Sequence, residues 1–284
     1  MQTVDLFKKK KVMSYEVFPP KRTAPVDTIY QTLEGLKELS PDFISVTYGA
    51  GGSENNNQTF KIASEIKSYG IESVVHLPCI GLTKTEVSQK LSHLKRLGVE
   101  NILALRGDIP NEEYFQGDFK YASDLISFIK TQENFNIIAA CYPEGHIDAK
   151  NKIEDIAHLK AKVDAGTNHL ITQVFFDNEY FYSFVERCQI AGIDVPIEAG
   201  IMPVVNKKQI ERISLLCGAT LPKKFLAMMQ CFENNPNAMR DAGIAYAVDQ
   251  IVDLIAQGVD GIHLYTMNNP YIAKKIHEAI YSLL

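Results

Sequence analysis

The chain has 284 residues, 46% of them hydrophobic and 22% charged, with 17 Gly and 12 Pro. These proportions exclude a disordered or low-complexity chain, and the length suits either two ordinary domains or one α/β barrel. The 34 acidic and 29 basic residues are mixed along the sequence and leave a net charge of −5, which is no electrostatic footprint for nucleic acid or a membrane surface.

Residues 1–11 end in four lysines, Lys8–Lys11, and lack the apolar stretch of a secretion signal. Beyond them, short apolar runs alternate with longer amphipathic ones. Strands are predicted over Val12–Phe18, Phe43–Tyr48, Ser73–Leu77 and Asn101–Leu105, then over Asn136–Tyr142, His169–Phe176, Val195–Ile201 and Gly261–Tyr265. Each run is short and several are apolar almost throughout, the pattern of parallel strands covered on both faces. Between them, Val26–Leu39, Val87–Leu97, Tyr121–Ile129 and Ile153–Val163 place apolar residues on one helical face. Gly70, Gly98, Gly166, Gly192 and Gly258 stand where a glycine would close a helix in the left-handed conformation before the next strand.

Eight such units predict the α/β class and a (β/α)8 TIM barrel spanning residues 1–284. An open doubly wound sheet stays as the alternative, because periodicity does not register closure. Residues 202–258 separate the last two strands and have room for two or three extra helices, with Pro222 and Pro236 where such helices would start. They are read as an elaboration of the barrel and not as a second domain. No apolar run is long enough to span a membrane. Cys79, Cys141, Cys188, Cys217 and Cys231 are dispersed, with no CxxC pair and no zinc-ligand spacing, so free thiols of a reducing cytoplasm and no metal are expected.

In a barrel the chemistry belongs at the carboxyl ends of the strands. There the sequence places Glu16, the run Thr47–Gly52, His76, Arg106-Gly107-Asp108, Tyr142 with His146, Gln173, Met202-Pro203 and Tyr265-Thr266. Each has a plainer reading. Glu16, between Tyr15 and Val17, could be an ion-paired core glutamate, since an unpaired carboxylate is costly there. His76 could be a satisfied core histidine, and Arg106 with Asp108 a loop pair. Phe175-Phe176 and Phe181-Tyr182 read as core. The Tyr48–Ser53 run could cradle a phosphate, but Glu54 breaks the dinucleotide-binding glycine fingerprint.

Eight segments then stand in one order: SYEVFPP (Ser14–Pro20), ISVTYGAGG (Ile44–Gly52), HLPC (His76–Cys79), ALRGD (Ala104–Asp108), YASDLI (Tyr121–Ile126), AACYPEGH (Ala139–His146), KVDAG (Lys162–Gly166) and ITQVFFD (Ile171–Asp177). Together they closely resemble the methylenetetrahydrofolate reductase family in its bacterial, catalytic-domain-only form, over about Ser14 to Asn268. The resemblance implies an FAD-containing (β/α)8 barrel that passes a hydride from NAD(P)H to 5,10-methylenetetrahydrofolate by ping-pong turnover, making 5-methyltetrahydrofolate. Glu16 matches the family's general acid, which opens the imidazolidine ring. An acid must carry its proton near neutral pH, and an apolar strand position favours the neutral carboxyl. Asp108 matches an aspartate that tunes the flavin and stabilises a cationic iminium.

The resemblance further implies FAD contacts at Tyr48, Ala50, His76, Arg106, Gly107, Asp108, Tyr121, Ala122, Tyr142, His146, Ala149, Asp155 and Lys162, with Arg106 and Lys162 toward the pyrophosphate. Substrate contacts are implied at Glu16, Thr47, Asp108, Gln173 and Gln209. Three positions depart from the pattern: Ala161 replaces a basic residue, Ile213 a ligand-stacking phenylalanine and Asn269 an arginine of the folate tail. These departures leave open a related flavin reductase fed by a partner protein. A non-redox barrel lyase using Glu16 is the further alternative. A cytoplasmic homo-oligomer is expected, without nucleic-acid or membrane partners.

Overall fold

Each predicted strand hydrogen-bonds in parallel to the next, and the last returns to the first. The computed structural model describes residues 1–20, 27–48, 56–107 and 117–284. The strands are β1 (Val12–Val17), β2 (Phe43–Val46), β3 (Glu72–Pro78), β4 (Asn101–Leu105), β5 (Asn136–Cys141), β6 (His169–Thr172), β7 (Ile197–Ile201) and β8 (Gly261–Tyr265). Their order around the sheet is that of the sequence, and β1 pairs β8 from Val12 opposite Gly261 to Glu16 opposite Tyr265. That seam closes the barrel and sets aside the open sheet.

Helices α1 (Asp27–Lys37), α2 (Asn56–Ser68), α3 (Lys84–Arg96), α4 (Ala122–Gln132), α5 (Lys152–Asp164) and α6 (Asn178–Ile190) each follow one strand. They cover the outer faces, where Tyr15, Val17, Leu33, Leu36, Leu91, Leu94, Ile129 and Leu159 share one buried core. Gly98 and Gly192 end two of these helices at φ 72° and 68°, a region in which a Cβ would be strained. Thr83 and Glu86 cap α3 reciprocally, and Asn151 caps α5.

Between β7 and β8 lie α7 (Lys207–Cys217), α8 (Lys223–Phe232) and α9 (Pro236–Ala256), three helices with Pro222 immediately before the second and Pro236 opening the third. Helix α10 (Pro270–Ile280) completes the ring. The insertion has its own apolar cluster around Phe225, Met229 and Met239, joined by Val174 and Phe176. This explains why β6 stops at Thr172 although the apolar run continues to Phe176. Past Thr172 the chain leaves the sheet, Gln173 bonds its own Val174 amide through Oε1 (2.8 Å), and Phe176 packs on Phe225 with centroids 4.6 Å apart.

Strand alternation turns Val12, Phe43, Val74, Leu103, Ile138 and Ile171 into the barrel, where they form a separate apolar cluster joined by Leu6 and Phe7. A 3-10 turn at Thr3–Asp5 seals this amino-terminal end. The Thr3 amide donates to Asn101 Oδ1 (2.8 Å), and Asn136 Nδ2 donates to Thr3 Oγ1 (2.8 Å).

Helix α9 approaches the exit of β7 so closely that a Cβ on Gly243 would stand 1.8 Å from the Val204 carbonyl oxygen and 2.7 Å from its carbon. Backbone cannot yield as a flexible side chain would, and overpacking of this kind costs about 1–3 kcal/mol or more. Gly243→Ala is therefore expected to lower the thermal midpoint by about 3–10 °C, read by calorimetry; an unchanged midpoint would show that α9 can shift freely.

Candidate functional site at the carboxyl-terminal rim

The sequence-predicted residues that the structure describes divide between two arcs of the barrel mouth. Glu16 ends β1 on the inner side with its side chain 18% exposed, and its carbonyl accepts a hydrogen bond from Thr266 Oγ1 (2.6 Å). Its Oε2 faces two imidazoles, His76 Nε2 at 3.6 Å and His263 Nε2 at 3.8 Å. It is neither a sealed core residue nor ion-paired with Lys or Arg among the described residues. Thr47 follows β2, and Gln173 follows β6, where its amide donates to the Cys141 carbonyl (2.7 Å). Gln209 lies in the first turn of α7, its amide held by Asn206 Oδ1 (3.0 Å).

The other arc runs over β2 to β5. Tyr48, Arg106 and Gly107 are partly buried at strand exits, and Tyr121 is 51% exposed where α4 begins at Ala122. Arg106 Nη2 donates to Asp148 Oδ2 (2.9 Å), and Asp148 is itself held below the usual carboxylate range by that bond. Tyr142 stacks edge-on against His146 with centroids 4.5 Å apart, and burial pushes its hydroxyl up to about 12. His146 Nδ1 accepts from the Asp148 amide (3.1 Å), and burial lowers its pKa. Ala149 lies beside this loop, Asp155 is buried in the first turn of α5, and Lys162 Nζ turns to the Ala140 carbonyl (2.5 Å). Burial lowers the Lys162 pKa.

Ala50 and Asp108 lie outside the described residues, as do the rest of the glycine run from Gly49 and residues 108–116. The departures take other work: Ala161 is exposed, Ile213 packs on the insertion's apolar cluster, and Asn269 caps α10 by accepting from the Ile272 amide (3.3 Å).

Sequence reasoning missed the residues beneath the rim. Ser14, Glu198 and His263 are fully buried inside the barrel, with Ser14 Oγ 2.7 Å from both Glu198 Oε1 and His263 Nδ1. His169 Nε2 stands 3.6 Å from Glu198 Oε2. Two glycines make the space: a Cβ on Gly261 would meet Glu198 Cγ at 3.0 Å, and one on Gly200 would meet the Tyr265 ring at 2.8 Å. Tyr265 uses that clearance to donate to the Thr172 carbonyl (2.7 Å). The available signal was the two-residue step: Ser14 precedes Glu16, and His263 precedes Tyr265, on the same strand face.

Ionisable groups gathered at one end of a (β/α)8 barrel, over an interior that is polar beneath them, define a barrel enzyme. The chain belongs to the methylenetetrahydrofolate reductase family, which matches residues 1–281 and consists of oxidoreductases. It is 37% identical over 265 residues to the 5,10-methylenetetrahydrofolate reductase of Pectobacterium carotovorum subsp. carotovorum, covering 93% of this chain and 88% of that one. To the Escherichia coli (strain K12) enzyme of the same name it is 38% identical over 260 residues, covering 90% and 86%. A solved Clostridium thermocellum protein, described as binding two copies of 5-methyl-5,6,7,8-tetrahydrofolic acid, superposes with a TM-score of 0.68 at 14% identity, covering 99% of this chain and 97% of that one. That likeness shows the fold. Family membership sets aside the non-redox lyase. Among the described residues no helix is long and apolar enough to cross a membrane.

Burial moves the interior groups in opposite senses. It lowers His76 to about 4 and His169 to about 3, and raises Glu198 to about 7. Below pH 6.5 the unfolded chain binds protons at the two histidines that the folded chain refuses, so their contribution to stability is lost as pH falls toward 4 and 3. Glu198 acts the other way: the folded protein holds a proton between pH 4.5 and 7 that the unfolded chain releases, so stability declines as pH rises through that window. Glu198→Gln is expected to stabilise the protein at pH 8 by roughly 3 kcal/mol relative to its effect at pH 4. His169→Gln should blunt the acid loss, and urea midpoints across pH 4–8 check both.

Proposed function

We propose that this chain reduces 5,10-methylenetetrahydrofolate to 5-methyltetrahydrofolate with NAD(P)H by ping-pong turnover in the cytoplasm, using FAD at the barrel mouth. The observation that carries the reading is Glu16, a partly exposed carboxyl at the rim that, among the described residues, faces imidazoles and no permanent cation. The chain's family and the folate bound by its Clostridium neighbour support the substrate.

The residues of the second arc suit a flavin dinucleotide. Among the described residues His76 Nε2 is buried without a hydrogen-bond partner, and Arg106 forms an ion pair with Asp148, which is 59% exposed and can give way. Helices α4 and α5 begin at the same rim, where the positive ends of their dipoles favour an anion. Arg106 and Lys162 would hold the pyrophosphate, with His76, Gly107, Tyr121, Ala122, Tyr142, His146, Ala149 and Asp155 around the rest, joined by Tyr48, Ala50 and Asp108. FAD, when bound there, supplies the hydride acceptor and donor for both half-reactions.

Glu16 holds a proton on its carboxyl and delivers it to a folate ring nitrogen, so that the five-membered ring opens to a cationic iminium. Asp108 places negative charge beside that cation. Thr47, Gln173 and Gln209 orient the pterin. Turning the Asn269 side chain to the α10 cap removes one group from the folate tail.

The purified protein should be yellow, bleach with NADH without air, and recover its colour with methylenetetrahydrofolate. Glu16→Gln should keep bleaching by NADH while slowing folate-dependent recovery by about 10²–10⁴-fold, measured by stopped-flow absorbance. Equal loss in both half-reactions would make Glu16 structural. A protein that binds flavin yet is not bleached by either nucleotide would be the reductase fed by a partner protein.

A further inference from the structure

A glutamate sealed inside a barrel costs stability unless something requires it, and the rim chemistry as read above makes no use of Glu198. A glutamine would satisfy Ser14 equally well through its amide oxygen. What a glutamine cannot do is hold and release a proton. Resting on the reading of Glu16 as proton donor, we propose that Glu198 is a positioning residue and internal proton store for Glu16, linked to it through Ser14 and His263.

The connection is continuous at its inner end. Ser14 Oγ lies 2.7 Å from Glu198 Oε1 and 2.7 Å from His263 Nδ1, and a hydroxyl has one proton to donate. Two arrangements therefore satisfy it. In the first, His263 Nδ1–H donates to Ser14, Ser14 donates to an ionised Glu198, and His263 Nε2 is bare toward Glu16. In the second, a neutral Glu198 donates to Ser14, Ser14 donates to Nδ1, and Nε2 carries hydrogen toward the rim. His263 Nε2 stands 3.8 Å from Glu16 Oε2 and 3.5 Å from Ser45 Oγ. The partly exposed Glu16 side chain closes the outer gap by rotation.

Once Glu16 has given up its proton, the second arrangement restores it. The Nε2 proton passes to Glu16, the Ser14 proton to Nδ1, and the Glu198 proton to Ser14 Oγ. Glu16 ends neutral, Glu198 ends ionised, serine is unchanged and histidine has exchanged tautomers. No charge is created.

The surroundings favour this use. Glu198 is faced by Ser14 on β1, His169 on β6 and His263 on β8, with Asp42 before β2 and Asp260 before β8 acting on it by charge. Among the described residues none of the facing groups is a lysine or arginine that would pin it as a permanent carboxylate. His169 is kept neutral by burial, and among the described residues neither of its ring nitrogens has a hydrogen-bond partner. Burial raises Glu198 to about 7, where it can both hold and lose a proton at neutral pH. Glu16 is faced by His76 on β3 and His263 and Tyr265 on β8.

The experiment compares Glu198→Gln, Ser14→Ala and Ser14→Thr holoenzymes in separate half-reactions across pH 5–9. In Glu198→Gln and Ser14→Ala, bleaching by NADH should match wild type at every pH, while folate-dependent recovery falls about tenfold near pH 7. It should fall much less at pH 5.5, where solvent reprotonates Glu16, or at pH 9, where Glu198 is already ionised. Ser14→Thr, which keeps the hydroxyl, should restore the wild-type profile. Nitrogen NMR of the His263 ring, recorded without substrates, should show a tautomer change on titrating wild type that Glu198→Gln abolishes. A wild-type pH profile in Glu198→Gln, equal slowing of both half-reactions, or an unaltered His263 titration would overturn the relay. Failure of wild type to accept electrons from NADH or deliver them to the folate would instead sink the functional reading, while the His263 titration still reads the link.

Discussion

The interior of a closed parallel barrel has no route to bulk water except its ends, and every polar side chain placed there must find its partner across the axis. In this protein the amino-terminal end is filled by six apolar side chains and sealed by the turn at Thr3–Asp5. Some of the polar groups beneath the open end satisfy one another, while both ring nitrogens of His169 and Glu198 Oε2 have no hydrogen-bond partner among the described residues. Ser14 serves both Glu198 and His263, Tyr265 reaches the Thr172 carbonyl, and Gly261 and Gly200 leave out the Cβ atoms that would block these approaches. A single register slip in β1 or β8 would turn Ser14 and His263 outward and strand Glu198 in a dry cavity. Closure of the sheet and the polarity of its axis are one constraint.

That constraint sets the character of Glu16. Among the described residues it gains neither a cation to hold it ionised nor a sealed apolar pocket. Its neighbours are two imidazoles, one of which is tied back into the barrel. The helices inserted after β7 build the wall that carries Gln209. Their packing against Val204, through the bare face of Gly243, makes the insertion part of the barrel mouth.

Much of this was legible in the chain. The glycines that close helices, the apolar runs and the helical faces mark all eight strands, and Pro222 and Pro236 mark the inserted helices. The eight ordered segments carry the family. Some details were not legible. Continuity of apolar residues from His169 to Phe176 reads as one long strand, because hydrophobicity does not distinguish sheet contacts from contacts with a helix fifty residues away. Arg106 reads equally as pairing with Asp108 or with cofactor, and the Asp148 contact comes from a loop on the next strand.

Local chemistry alone determined the order of strands and helices, the composition of the outer core and the identity of the rim groups, since periodicity and capping act within a few residues. Tertiary structure decided that the sheet closes, and so which distant side chains share its axis. Residue 14 meets residues 198 and 263 only because β1 completes a ring with β8, and that meeting, absent from any local pattern, is what places an ionisable store beneath Glu16.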